Sequence, residues 1–132
     1  ESFDKAAKMM GLGYPGGPVI EALAKKGDPD RFKMPIPLRH DPRIAFSYSG
    51  LKNAVRLLVQ KHQPLDERTK ADIAAAFQKA AIAHLLQKTK KIFQRVRPRD
   101  FAIVGGASAN MEVRRVFADL CAAYDCTLHL AD

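Results

Sequence analysis

Apolar residues recur at helical spacing along most of the chain. Phe3, Ala6, Ala7 and Met10 follow an i, i+3, i+4, i+7 pattern that predicts a short helix, which Gly11 and Gly13 end. Tyr14-Pro15-Gly16-Gly17 is a tight connector. Pro18, with its fixed φ and missing N–H, suits the first turn of a second helix through Val19, Ile20, Leu23 and Ala24, which closes at Gly27 with Lys25 and Lys26 in its last turn. Pro29, Pro35, Pro37 and Pro42 make residues 28–43 an extended excursion over the surface. Ile44 to Ser49 alternates large apolar and small residues, a strand pattern, and Gly50 turns the chain into a helix carrying Leu51, Ala54, Val55, Leu58 and Val59. After Gln63-Pro64 a long helix begins near Asp66. Ile73, Phe77, Ala81 and Leu85 form one stripe along it, continued by Ile92, Phe93 and Val96.

The period changes in the last third. Phe101 to Val104 is a short apolar run after Pro98 that leads directly into Gly105-Gly106. A helix follows with Val113, Val116, Phe117, Leu120 and Cys121 on its inner side, and Thr127 to Leu130 reads as a second strand. Strand, glycine turn, helix and strand make a βαβ unit with a parallel pair and a right-handed crossover. The predicted class is α/β, several helices packed on a small sheet within one unit spanning residues 1–132.

Composition narrows the class. At 132 residues, 47% hydrophobic and 27% charged, the chain reads as one soluble globular domain. No apolar stretch approaches the roughly 20 residues of a membrane span, so no membrane association is expected. Glu1 to Lys5 contains two acids and no apolar leader, and the chain opens without Met inside what looks like a motif. It is therefore read as part of a longer protein with no signal peptide. Cys121 and Cys126 fit neither a C-x-x-C motif nor a disulfide framework; reduced thiols in a cytoplasmic protein are expected.

The net charge of +8 favours a polyanionic partner, and its distribution is more informative than its size. From Ile73 to Arg99 there is no acid, while Lys79, Lys88, Lys90, Lys91, Arg95, Arg97 and Arg99 accumulate. Two readings stand at this point: a contact for nucleic-acid phosphates through Lys88, Lys90, Lys91 and Arg95, or a solvated helix end whose cations suit the negative pole of its dipole.

Ile103 to Asn110 is the strongest local signal for chemistry. A strand ending in paired glycines and opening a helix brings bare backbone, unpaired N–H groups and a positive dipole to a phosphate; Ser108 and Asn110 are natural N-cap residues. Tyr14-Pro15-Gly16-Gly17-Pro18 is a second glycine pair at a helix start, and Asp4 precedes it in the first predicted helix. Ser47-Tyr48-Ser49-Gly50-Leu51-Lys52 is a third strand-to-helix passage. Each of these also fits a plain connecting turn. His40, His62, His84 and His129 have no metal-ligand spacing, and no nucleophile elbow occurs.

Taken in order, Glu1-Ser-Phe-Asp-Lys5, Gly11-Leu-Gly-Tyr-Pro-Gly-Gly-Pro18, Phe46-Ser-Tyr-Ser-Gly-Leu-Lys52, Asp72-Ile-Ala-Ala-Ala-Phe77 and Gly105-Gly-Ala-Ser-Ala-Asn110 resemble the successive signature blocks of bacterial members of the TsaD/Gcp family. These are the tRNA N6-adenosine threonylcarbamoyltransferases once described as O-sialoglycoprotein endopeptidases. The resemblance covers the whole chain. It implies much of the second lobe of an actin/Hsp70-like ATPase fold, with the first lobe and the C-terminal end absent. It implies transfer of threonylcarbamoyl from threonylcarbamoyl-AMP to N6 of adenosine 37 in tRNAs reading codons that start with A, with tRNA and TsaB- and TsaE-like proteins as partners.

By the same resemblance, Asp4, Gly17, Glu21 and Asn110 hold the adenylate or ATP, with the backbone of Gly105 and Gly106 approaching it. Iron or another divalent metal is implied for the whole protein, its H-x-x-x-H pair and Asp lying outside this chain, so the present stretch alone is expected to be inactive. The alternatives are a non-catalytic nucleotide-binding or interaction lobe, and the older metalloprotease reading, which finds no nucleophile–base or zinc motif here.

Overall fold

A computed structural model describes the backbone of residues 2–12, 16–34, 49–103 and 109–130, and their side chains apart from those of 2–5 and 49. In chain order the elements are α1 (Ser2–Met9), α2 (Gly16–Ala24), α3 (Ser49–Lys61), α4 (Glu67–Val96), β1 (Asp100–Ile103), α5 (Met111–Ala123) and β2 (Thr127–Leu130). The α/β class is as expected, and the described sheet is one parallel pair with α5 as its crossover. The strand expected from Ile44 to Ser49 lies outside the described residues except for Ser49, which already belongs to α3.

Local chemistry sets the helix ends. Gly11 adopts φ +72°, and paired bonds from Leu12 N–H to the Ala7 carbonyl (2.8 Å) and from Gly11 N–H to that of Lys8 (3.1 Å) close α1 in a Schellman motif. The same pairing closes α5, Cys126 N–H to the Cys121 carbonyl and Asp125 N–H to that of Ala122, with Asp125 at φ +54°. Asp66 caps α4 by accepting the Thr69 N–H at 2.6 Å, a bond that holds its carboxyl below the usual range. At the other end Arg97 turns left-handed ahead of Pro98. The second helix ends at Ala24, earlier than the glycine-based expectation, and Lys25 and Lys26 lie in the turn that follows.

The centre of the molecule is α4, 30 residues and about 45 Å long. A single inward stripe was expected; instead every residue from Ala71 to Phe77 is buried. Alanines on its flanks let neighbouring elements approach from several sides. Its first half joins Ala6, Ala7, Met10, Ile20, Leu51, Val55 and Val59 in one core. Its second half, through Ile82 and Phe93, joins Val113, Phe117, Leu120 and Cys121 in another. In the second core Phe93 meets Phe101 and Tyr124 edge-on, at 5.2 and 5.5 Å between ring centres, and Phe101 stacks on Phe117 at 5.8 Å. Such pairs add about 0.5–1.5 kcal/mol each beyond the area they bury. Val96, expected to extend the stripe, is 68% exposed because the second core ends at Phe93.

The strands pair Phe101 with Leu128 and Ile103 with Leu130. Phe101, Ile103 and Leu128 pack on the second core, while Asp100 and His129 meet on the exposed face at 2.8 Å.

The chain after α2 is pinned to α4 by a buried carboxylate. Asp72 accepts the Asp28 N–H at 2.7 Å on one oxygen and the Arg31 guanidinium at 2.8 Å on the other, and that guanidinium also donates to Thr69 Oγ1. The Arg31 bond first, and the Asp28 N–H second, hold the Asp72 carboxyl below its ordinary value. This contact requires a residue without a side chain at its base. A Cβ on Gly27 would lie 1.9 Å from the Ala71 carbonyl oxygen and 2.7 Å from the Asp72 nitrogen, both backbone atoms that cannot swing aside.

Gly27→Ala is accordingly expected to lower the unfolding free energy of the full-length protein in urea by about 3 kcal/mol, the upper range of overpacking. Gly50→Ala, whose Cβ meets nothing within 4 Å, should change it by less than about 1 kcal/mol. Asp72 also gives an acid dependence of known sign. Because its folded pKa lies below the ordinary 3.8, its stabilisation is complete above 3.8 and drains away as pH falls through the folded value. Asp72→Asn should cost about 1–2 kcal/mol at pH 7 and flatten the loss of stability below pH 3.8, measured by denaturation across an acid series.

Candidate functional site

The start of α5 is built by side chains from three helices. Asn110, extended at φ −72° and ψ 120°, is its N-cap and accepts the Val113 N–H on Oδ1 at 3.0 Å. Its Nδ2 donates to Gln78 Oε1 of α4 at 2.9 Å, and the residue is 7% exposed. Glu21 reaches across from α2 and accepts the Met111 N–H at 2.8 Å. Two N–H groups that a helix start leaves without backbone partners are thus taken by a carboxylate and an amide, and the negative charge sits at the positive end of the dipole. One turn further along α5, Arg115 pairs with Glu112 and holds its carboxyl below the usual range.

Gly17 lies one helical turn before Glu21, on the same face of α2. A Cβ added there would meet nothing within 4 Å, so no neighbour among the described residues demands glycine. Two of the four candidate residues, Glu21 and Asn110, therefore meet at the start of α5, and Gly17 lies one helical turn from Glu21. Asp4 lies on α1, which packs on α2, and its side chain is outside the description. Gly105, Gly106 and Ser108, the Tyr14-Pro15 part of the second glycine turn, and Ser47 and Tyr48 also lie outside the described residues. Beside the junction, Gln78 and Glu112 form part of an open groove of about 480 Å³ between α4 and α5, lined also by Ala75, Ile82, Val116 and Arg115.

The arrangement can orient a polar ligand through hydrogen bonds at the α2–α5 junction, with bare backbone at Gly17 allowing close approach. It does not form a metal centre: among the described residues no three His, Cys, Asp or Glu side chains converge. The described residues therefore offer no set to hold the divalent metal that the family resemblance implies. Burial, then the neighbouring Cys126, pushes the Cys121 thiol up to about 11, which leaves it without nucleophilic character at neutral pH.

The basic run divides differently from the expectation. Lys88 is fully buried on α4, beside buried His84 and Thr89, so it does not reach a phosphate at the surface. Acid-free sequence does not distinguish the covered face of a helix from its open one. Lys90, Arg95, Arg97 and Arg99 are exposed, and Lys79 pairs with Asp30 at 2.7 Å.

Comparison with known proteins is decisive at this point. The chain matches, over residues 1–132, the family model TsaD, tRNA N6-adenosine threonylcarbamoyltransferase. It belongs to this family. It is 68% identical to the tRNA N6-adenosine threonylcarbamoyltransferase of a Nitratiruptor species, an alignment covering 92% of this chain and 37% of that protein. It is 62% identical to the like-named protein of a Sulfurovum species, over 99% of this chain and 40% of that one. For a Helicobacter pylori protein of the same name the identity is 52%, over 99% and 39%. The chain thus spans about two fifths of the length of these curated relatives.

Sequence reasoning passed over Gln78, the partner of Asn110. The signal was present: an amide set in the small apolar run Ala74-Ala-Ala-Phe-Gln-Lys-Ala-Ala81, where a half-buried polar side chain needs a partner.

Proposed function

We propose that the protein containing this chain transfers the threonylcarbamoyl group of threonylcarbamoyl-AMP to N6 of adenosine 37 in tRNAs reading codons that start with A, forming the N6–carbamoyl bond and releasing AMP. The chain supplies part of the nucleotide site, and residues 1–132 correspond to much of the second lobe of an actin/Hsp70-like ATPase fold. The observation that supports this is the meeting of Glu21 and Asn110 at the start of α5, from stretches 89 positions apart in sequence, with Gly17 one helical turn from Glu21. In this reading Gly17 presents backbone to the adenylate, Glu21 and Asn110 bind polar groups of it, and Asp4 contributes from α1. Iron or another divalent metal, held by ligands outside this chain, acts in the whole protein. TsaB- and TsaE-like proteins are its partners, and the setting is cytoplasmic.

Gly17 gives the cleanest test, because Asn110 also caps α5 and its loss costs about 1 kcal/mol of stability whatever it binds. In the full-length enzyme Gly17→Ala should leave the unfolding midpoint unchanged or raise it slightly, since alanine is the better helix former. It should nonetheless weaken adenylate binding by about 1–3 kcal/mol, the order of a displaced buried polar contact. Unaltered affinity, measured calorimetrically, would remove Gly17 from the site.

The exposed part of the basic run serves tRNA in the same reading. Lys90 lies in the last two turns of α4 and Arg97 is its left-handed C-cap, and both are exposed. Each phosphate contact adds about 0.7–0.9 to the magnitude of the slope of log K against log salt, so neutralising both to Gln should flatten the slope by about 1.5 without changing adenylate affinity. Parallel salt titrations for variant and wild type would make these cations ordinary surface.

A further inference from the structure

Asn110 Oδ1 faces a donor that cannot be reversed, the backbone N–H of Val113 at 3.0 Å. That bond forces Nδ2 of the same amide outward, where it donates to Gln78 Oε1 at 2.9 Å. An acceptor at position 78 therefore completes a relay of fixed polarity, from the α5 backbone through Asn110 to α4. The relay joins residues 32 positions apart and buries Asn110 to 7% exposure. Without the acceptor, one N–H of a buried amide loses its partner and the side chain gains freedom to rotate away from its cap.

We propose that Gln78 is a positioning residue for nucleotide binding: its carbonyl fixes the orientation of the Asn110 amide and so presents that amide's remaining hydrogen-bonding capacity to the ligand. This rests on the reading of Asn110 as a nucleotide ligand. One Nδ2 hydrogen and one Oδ1 lone pair are committed to Gln78 and Val113. Among the described residues no other group takes the second hydrogen and second lone pair, which suit a group offering both an acceptor and a donor, such as a ribose hydroxyl. Gln78 also lines the groove beside Glu112, so the residue that orients Asn110 borders open space on its other side.

The test uses the full-length enzyme and AMP as the probe, titrated calorimetrically. Gln78→Met keeps the length and loses the acceptor; Gln78→Glu keeps an acceptor for Asn110 Nδ2. The methionine variant should bind AMP about fivefold more weakly, the worth of one net hydrogen bond, and the glutamate variant should stay within about twofold of wild type. Binding of tRNA should be unchanged in both. Placed on Asn110→Ala, Gln78→Met should have no further effect, because the group it orients is gone. A purely structural role predicts the opposite pattern, with both variants losing stability and neither losing AMP affinity selectively. If Asn110→Ala weakens AMP binding while Gln78→Met does not, the positioning role is overturned and the site reading stands. If Asn110→Ala leaves AMP binding intact, both are overturned. Should the methionine variant not fold, Gln78→Ser, too short to reach Asn110, carries the same comparison.

Discussion

The close approach of other elements to the flanks of α4 is the constraint on which the rest of the structure depends. A helix of 30 residues gains little from its own hydrogen bonds and is held by what packs on it. Here alanines at 71, 74, 75, 76, 80 and 81 keep its first half narrow, so α2 and the Gly27–Asp28 turn reach its backbone while α1 and α3 complete the same core. The second half carries the aromatic contacts that hold β1, α5 and β2. The two cores are built around one rigid rod, and every element that bears a candidate functional residue takes its position from that rod directly or through α2.

Close approach has an electrostatic consequence. Narrow helix packing brings polar groups into poorly hydrated places, and each must find a partner. Asp72 finds the Asp28 N–H and Arg31, and Asn110 finds Val113 and Gln78; on the exposed rim the Met111 N–H is taken by Glu21. These bonds fix the turn after α2 and the start of α5 more narrowly than apolar contact would, because apolar contact is indifferent to rotation and a hydrogen bond is not. The α2–α5 junction is therefore pre-ordered. Order of this kind lowers the conformational entropy lost on binding. Glu21 shows the other side of the arrangement: a carboxylate already seated on the Met111 N–H narrows what the start of α5 offers to an incoming anion.

Helix existence and type, the long α4, the parallel βαβ unit and the family blocks were all legible in the sequence, since apolar period, glycine and proline placement and capping residues are local signals. Gly11 as a helix stop and Asp66 as the start of α4 follow from single residues whose backbone preferences the fold does not override. The all-round burial of residues 71–77 of α4 was not legible. Its i+4 stripe is real, but alanine is compatible with either a covered or an open face, and only the arrival of α2 and the following turn decides between them. Lys88 was misread for the same reason: a cation in an acid-free run looks solvated until the fold covers it.

The candidate site divides along the same line. The family resemblance named Asp4, Gly17, Glu21 and Asn110 as binding candidates, and no local pattern joined Glu21 to the start of α5. Glu21 and Met111 are 90 positions apart, and Asn110 and Gln78 are 32 apart, so the bonds that join them exist only once α2, α4 and α5 have packed. The sequence by itself determined which segments are helix or strand, where they stop, and to which family the blocks are similar, because those depend on interactions within a few residues. The tertiary structure alone decided which polar groups are buried, which partner each takes and which cations stay in water, because desolvation is a property of the packed surface and not of any residue along the chain.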